Sequence, residues 1–202
     1  MRYDLEHKAR TWHRLVAEAA LCLRQEGPHG VKLADLMHRQ GLTHGGFYTY
    51  FASKDDLIAQ AIEVMFSWAI QRFALCMSDE TPQDGLNRYI DYYLDWDESG
   101  DWTHDGAITA ISCDLSHMDD SLHQRFDAGF AGLQRLVATA FVRLDLGHEA
   151  ALMQATMLLT EIAGALHVAR TAKTPAVRHY ICHCAREAIR VRLQGSVAAF
   201  VA

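Results

Sequence analysis

The sequence predicts an all-α protein, and three observations predict it. Apolar residues recur at the 3.6-residue helical period along most of the chain, as in Trp12, Leu15, Val16, Ala19 and Leu23. Helix-start signals stand in front of these runs: Ser53 with Asp56 three residues on, Thr81-Pro82 with Asp84, and Thr174-Pro175. No alternating strand pattern and no Asn-Gly hairpin signal occurs anywhere.

The elements follow in order. A first helix is predicted from about Leu5 to Glu26, ended by Gly27-Pro28. Leu33, Leu36 and Met37 mark one face of a short second helix that stops at Gly41, where a left-handed backbone is wanted. Thr43 is placed to cap a third helix from His44 to Tyr50, its hydroxyl accepting an orphan amide. Leu42, Phe47 and Phe51 then complete the core of these three helices. Helix, glycine turn, short helix is the plan of a helix-turn-helix. The Ser53 capping box opens a long helix to about Met77, carrying Leu57, Ile58, Ala61, Met65, Trp68 and Phe73. Further helices are predicted at about 82–97, 106–118, 120–145, 148–172 and 175–194, with a polar loop over 97–105. The expected organisation is a three-helix helix-turn-helix domain over 1–53 followed by a larger helical domain over 54–202, about nine helices in all.

Composition narrows the class. The 202 residues are half apolar with three prolines, enough for a small domain on a larger one. No stretch of about eighteen apolar residues is free of charge, and Met1–Arg10 is polar rather than a signal peptide. The expectation is a cytoplasmic protein with no membrane span. Five cysteines (Cys22, Cys76, Cys113, Cys182, Cys184), most in apolar periodic segments, read as reduced thiols rather than a disulfide framework. The net charge of −6 is unevenly placed: residues 1–55 carry +2 and the remainder −8. An acidic body with a slightly basic head suits contact with DNA through one end.

The pattern Gly41-Leu-Thr43-x-Gly45-x-Phe47-Tyr48-x-Tyr50-Phe51-x-Ser53-Lys54-x-x-Leu57 closely resembles the recognition segment of the TetR family of bacterial transcriptional regulators. In that family it joins the recognition helix to the first helix of the ligand-binding domain. The resemblance implies double-stranded DNA with a pseudo-palindromic operator, a homodimer and a small-molecule effector as partners. Base contacts are expected near the start of the recognition helix: Thr43, His44, Gly45 and Gly46, with Thr49 one turn on. His44 is the best base reader, and the two glycines let the backbone approach the groove. Tyr48, Tyr50 and Lys54 suit phosphate oxygens. The resemblance places Tyr48 and Lys54 in that role, while Tyr50 stands where many relatives have His. Val31-Lys32 departs from the family, many of whose members have Thr or Ser at the start of the second helix. Lys32 can meet a phosphate by charge, but a capping hydroxyl is missing.

For the larger domain the resemblance implies a ligand cavity between the middle helices. Its expected lining is Met65, Trp68, Tyr89, Tyr93, Trp96, Trp102, Cys113, His117, Met118, Phe126 and Phe130. Aromatic rings with polar edges would suit a mostly apolar small molecule, although the same residues would serve an ordinary core. Helical spacing is expected to bring His117 alongside Cys113, read as an inert buried thiol. The last two helices carry broad apolar faces with small residues, and the corresponding pair in TetR-like proteins forms the dimer interface. Leu159, Ile162, Leu166, Val177, Ile181, Cys184 and Ala188 are its expected members. His179, Cys182, His183 and Cys184 cluster in sequence, three of them on one helical face, and are read as packing rather than a metal site. No cofactor is expected. Nor is an enzyme: there is no Gly-rich phosphate loop after a strand, no nucleophile elbow and no His-Glu-x-x-His helix. A metal-assisted hydrolase built on His104, His117 and His123 has no further support. The expected function is a ligand-responsive homodimeric repressor, released from its operator by a small apolar molecule; the alternative is a helical sensor with little DNA binding.

Overall fold

A computed structural model describes residues 2–78, 81–95 and 107–201, and these are helical with no strand among them. The helices are α1 (Arg2–Gly30), α2 (Leu33–Arg39), α3 (His44–Thr49, a 3-10 helix), α4 (Lys54–Cys76), α5 (Pro82–Leu94), α6 (Ala107–Ile111), α7 (Asp120–Val142), α8 (His148–Thr171) and α9 (Pro175–Val201). A single 3-10 turn, Leu115–His117, lies between α6 and α7.

The N-terminal helices form as their residues dictate. Leu15, Val16, Ala19 and Leu23 are fully buried along one face of α1. The helix breaks at Gly27, whose φ of 69° and ψ of −172° only glycine adopts without strain, and Pro28 restarts a last turn. Gly41 closes α2 with φ 68°. Phe47 and Phe51 are buried with ring centroids 5.3 Å apart, sealing the three-helix unit. One cap differs from expectation. Thr43 makes no side-chain cap bond, because its backbone carbonyl already accepts the Gly46 amide at 2.9 Å in the tight 3-10 turn. Lys32, which has no hydroxyl to offer, leaves α2 without a side-chain cap, as the sequence implied.

Ser53 does cap α4: its hydroxyl accepts from the Asp56 amide at 3.0 Å, and the Asp56 carboxylate accepts from the Ala52 amide at 2.9 Å. The resulting 23-residue helix runs without a break from the recognition segment into the body, packed against α1 on one side and α7 on another. Thr81 caps α5 in the same way, accepting from the Asp84 amide at 3.2 Å.

In the body, α8 lies between α7 and α9. It holds an 18-residue window of mean hydropathy 1.3, long and apolar enough by composition to cross a bilayer. Glu161 falls inside every such window, so the sequence observation that no stretch of this length is free of charge holds for α8 as well. Its apolar content is distributed over two faces: Ala151, Ala155, Leu158, Leu159, Ile162 and Leu166 are buried inside the chain, while Met153 and Val168 face outward. Ion pairs tie α9 to its neighbours, with Arg190 Nη2 bonding both Asp91 carboxylate oxygens at 2.6 and 2.8 Å. Arg192 grips Glu161 through Nε and Nη2 at 3.1 and 2.6 Å. The sixth helix is much shorter than the predicted 106–118, ending at Ile111 in a turn.

Candidate nucleic-acid interface and effector cavity

The short α3 presents one face to solvent. Thr43, His44, Gly45, Tyr48 and Thr49 are exposed, Tyr48 to 66%. Gly46, Tyr50 and Lys54 are half-buried, with Tyr50 packed against the core, and Lys32 is exposed at the start of α2. A Cβ at Gly45 would meet nothing within 4 Å, and one at Gly46 would meet only Met37 and Thr43 at 3.7 Å. Neither glycine is therefore required by the chain's own packing. Arg39 of α2 is held by Glu18 of α1 at 2.8 Å.

Inside the body a narrow cavity of ≈ 20 Å³ lies between α4, α5, α6, α7 and α8, about the room of one water. Its wall is apolar: Ala69 of α4, Ile108 of α6, Leu133 of α7, and Leu159, Ile162 and Leu166 of α8. Hydroxyl groups supply its polarity, from Tyr89, Tyr93 and Thr109. The two tyrosines stack edge to face at 5.1 Å and hydrogen-bond to each other. Burial pushes both phenols up, Tyr89 well above the ordinary tyrosine value and Tyr93 to about 12, with Tyr92 beside Tyr93 adding to its rise.

Of the expected lining, Tyr89 and Tyr93 reach this cavity. Met65 is buried elsewhere in the core, and Trp68 packs at the head under the Arg24 guanidinium, 5.5 Å from the ring centroid. Phe126 and Phe130 stack on each other at 6.4 Å, with Phe126 edge-on to Phe66 at 5.5 Å. His117 and Met118 line a different space, a cleft of ≈ 250 Å³ between the head and the body. Trp96 and Trp102, and His104 of the hydrolase alternative, lie outside the described residues.

Cys113 is not a buried thiol beside His117. Because α6 stops at Ile111, no helical spacing links the two. Cys113 is exposed, and its sulfur lies 3.5 Å from Nε2 and 3.6 Å from Nδ1 of His167 on α8.

The expected dimer face needs a rotation on α8. Leu159, Ile162 and Leu166 are at most 5% exposed and belong to the cavity wall. The outward side of α8 instead shows Met153 at 56%, Val168 at 53%, and Thr160 and Gly164 between them. On α9 the assignment fits better: Val177, Cys184 and Ala188 are exposed, in line with Tyr180 at 67% and Val191 at 69%, while Ile181 is half-buried. His179 and His183 stack with parallel rings at 6.3 Å on the exterior, and Arg186 sits 3.3 Å from His183 Nδ1. Cys182 turns fully inward, away from the two histidines. Among the described residues no three His, Cys, Asp or Glu side chains are grouped to hold a metal ion.

Sequence reasoning missed Ala69, Ile108, Thr109, Leu133 and Ala163 as cavity residues. Such apolar and small residues scattered over four helices give no local signal of a void between them.

Comparison with known proteins bears on both halves. Residues 15–61 match the profile of bacterial regulatory proteins of the tetR family, and residues 82–178 match the C-terminal domain of LmrA/YxaF-like transcriptional regulators. The chain belongs to the TetR family. As a TetR-family protein it is a DNA-binding transcriptional regulator. An uncharacterised HTH-type transcriptional regulator of Mycobacterium tuberculosis is 25% identical over 164 residues, 78% of this chain and 82% of its own length. Two solved structures share the fold. A TetR regulator from Chloroflexus aurantiacus superposes with a TM-score of 0.75 at 21% identity, over 94% of this chain and 96% of its own. The reduced form of NemR from E. coli does so with a TM-score of 0.74 at 20% identity, over 89% and 95%.

Proposed function

We propose that this TetR-family regulator is a cytoplasmic homodimeric repressor, released from a pseudo-palindromic operator by a small, neutral and mostly apolar molecule. The observation that carries this reading is α4. It is one continuous helix whose first residue, Lys54, follows the recognition segment, while Ala69, four turns on, faces the interior cavity. A rigid rod joining cavity and recognition segment transmits a change at one end to the other. The chain divides functionally at about residue 53, with residues 1–53 reading DNA and 54–202 sensing and dimerising.

In the DNA-reading head, His44 reads a base edge and Gly45 and Gly46 let the helix seat deeply in the major groove. That Gly45 is not demanded by internal packing supports this role. Thr43 and Thr49 flank the contact, and Tyr48, Tyr50, Lys54 and Lys32 bind phosphates. Two recognition helices are needed for useful affinity, since one reads few base pairs. The outward stripes of α8 and α9, with Met153, Gly164 and Val168 facing Val177, Tyr180 and Val191, supply an apolar surface for a second copy.

The interior cavity admits nothing larger than a water until Tyr89, Tyr93 and the α8 side chains part. An effector that binds the widened arrangement, with the heads held apart differently, shifts the population away from the DNA-binding form. Its lining offers hydroxyls and no charge, hence a neutral effector.

The test is a panel of neutral aromatic compounds in a gel shift with operator DNA. At least one should release the wild-type protein, and Ala69→Phe, which fills the cavity, should bind DNA but ignore that compound. Release of Ala69→Phe at the same concentration as wild type would overturn the cavity assignment.

A further inference from the structure

We infer that the effector of the interior cavity is a neutral aromatic carbonyl compound, held by its carbonyl oxygen between the Tyr89–Tyr93 pair and Thr109. This rests on the cavity being the effector site, and it names the group that the effector must carry. The three hydroxyl side chains are the polar part of an otherwise apolar wall. They reach it from two helices, Tyr89 and Tyr93 from α5 and Thr109 from α6. All three are more than nine-tenths buried, at 2%, 8% and 4% exposed.

Proton accounting selects the ligand group. The two phenols bond to each other, and one such bond uses one of their two protons, whichever way it runs. The other phenol proton has no acceptor among the described residues. Threonines deeper in their helices satisfy themselves: Thr139, Thr156 and Thr171 donate to the carbonyls of Leu136, Leu152 and Val168 at 2.6, 2.8 and 2.8 Å. Thr109 stands in the first turn of α6 and makes no such bond among the described residues. Two buried O–H donors therefore border one small space with nothing in the described chain to receive them.

A buried donor left without a partner is costly, so a ligand that accepts from both gains at both. A carbonyl oxygen has two lone pairs and no proton, and it matches two donors. An alcohol oxygen accepts too, but it brings a third proton into the same apolar wall. The ring belongs to the ligand for a separate reason. Phe73, Tyr89 and Tyr93 form a chain of edge-to-face contacts, each at 5.1 Å, which an aromatic ring in the widened cavity extends. By bonding Thr109 the effector also acts on α6, which packs against α1 of the head, a second route to the head besides α4.

The experiment is a ligand-observed NMR titration of the full-length protein, without DNA, with acetophenone, 1-phenylethanol and ethylbenzene, which share one ring and nearly one size. Acetophenone should bind below about 1 mM, at least about fivefold tighter than ethylbenzene, with 1-phenylethanol between them. Thr109→Val keeps the shape of the side chain and removes its hydroxyl. It should weaken acetophenone by about two- to tenfold and leave ethylbenzene no weaker. Thr109→Ser, which keeps the hydroxyl, should retain the preference for the ketone. Equal binding of ketone and hydrocarbon, an alcohol that matches the ketone, or an unchanged ketone preference in Thr109→Val would each overturn the carbonyl assignment. So would no binding of any of the three. The cavity itself is judged separately: release from operator DNA by any other neutral compound, blocked in Ala69→Phe, would keep it as the effector site with the carbonyl assignment gone.

Discussion

Gly129 and Gly132 stand three residues apart in α7, yet the same substitution should act on them with opposite sign. In a helix interior, alanine in place of glycine stabilises by about 1 kcal/mol through backbone entropy and helix propensity. At Gly132 an added Cβ would meet no heavy atom within 4 Å, so that gain should appear in full. At Gly129 the Cβ would fall 2.2 Å from Cδ2 and 2.5 Å from Cγ of Phe66 on α4. The Phe66 ring is 2% exposed and lies edge-on to Phe126 at 5.5 Å, so it cannot swing into solvent. Either the ring leaves its rotamer or α7 moves off α4, and overpacking of this kind costs about 1–3 kcal/mol. A contact this short belongs in the upper half of that range, leaving a net loss of about 1–2 kcal/mol after the helix gain. For a chain of this length 1 kcal/mol moves Tm by about 2–4 °C. Gly132→Ala should therefore melt about 2–4 °C higher than wild type, and Gly129→Ala about 2–8 °C lower. Circular dichroism melts at one fixed protein concentration give both values, because a dimer's Tm depends on concentration. Phe66→Leu in the Gly129→Ala background should recover part of the loss, since the two residues share one contact. Equal shifts at the two glycines, or a stabilised Gly129→Ala, would refute the packing of α4 on α7.

Three further outcomes follow from other parts of the molecule. Ser53→Ala removes the hydroxyl that accepts the Asp56 amide and should cost about 1 kcal/mol in urea unfolding. Thr43→Ala should cost much less, because Thr43 makes no such bond. Val168→Glu with Val191→Glu places charge on the outward stripes of α8 and α9 and should yield monomers in sedimentation experiments, with helix content retained; an unchanged dimer would remove these faces from the interface. Tyr93 holds its proton to about 12 in the fold and to about 10 when unfolded. Below pH 10 both states are protonated and its stabilising effect is complete. Across pH 10 to 12 the unfolded chain sheds the proton first, so stability falls by about 1.4 kcal/mol per pH unit on account of this one group. Urea midpoints followed across that window should fall less steeply in Tyr93→Phe by about that amount.

Local signals in the chain read out well where one residue and its near neighbours decide the structure. Ser53 and Thr81 cap the helices they precede, Gly41 takes the left-handed backbone its position called for, Gly27 breaks the first helix where Gly27-Pro28 was expected to end it, and Phe47 and Phe51 are buried. Thr43 failed as a cap because the segment folds as a 3-10 helix, whose tighter turn gives the Gly46 amide to a backbone carbonyl. The body was legible as helices but not as faces. Since α8 is apolar on nearly every side, its periodicity could not say that Leu159, Ile162 and Leu166 turn inward while Met153 and Val168 turn out. Cys113 was misplaced because α6 ends early, at Ile111, and the residue beyond it meets His167, 54 residues away, rather than a helical neighbour. The interior cavity and the head–body cleft are products of helix positions in three dimensions. In the interior cavity only Tyr89 and Tyr93 had been named as lining, while Leu159, Ile162 and Leu166 had been assigned to the dimer face; in the cleft, Lys54 had been assigned to phosphate and His117 and Met118 to the other space.

The most direct test of the central claim is selection of bound fragments from random-sequence DNA by the purified protein. Wild type should enrich a two-fold symmetric site with half-sites about one helical turn apart. Lys54→Ala should enrich the same site with weaker affinity for all sequences, and His44→Ala should change the preferred bases within each half-site while keeping the symmetry. Enrichment of no sequence by the wild type, or an unchanged base preference in His44→Ala, would contradict the account.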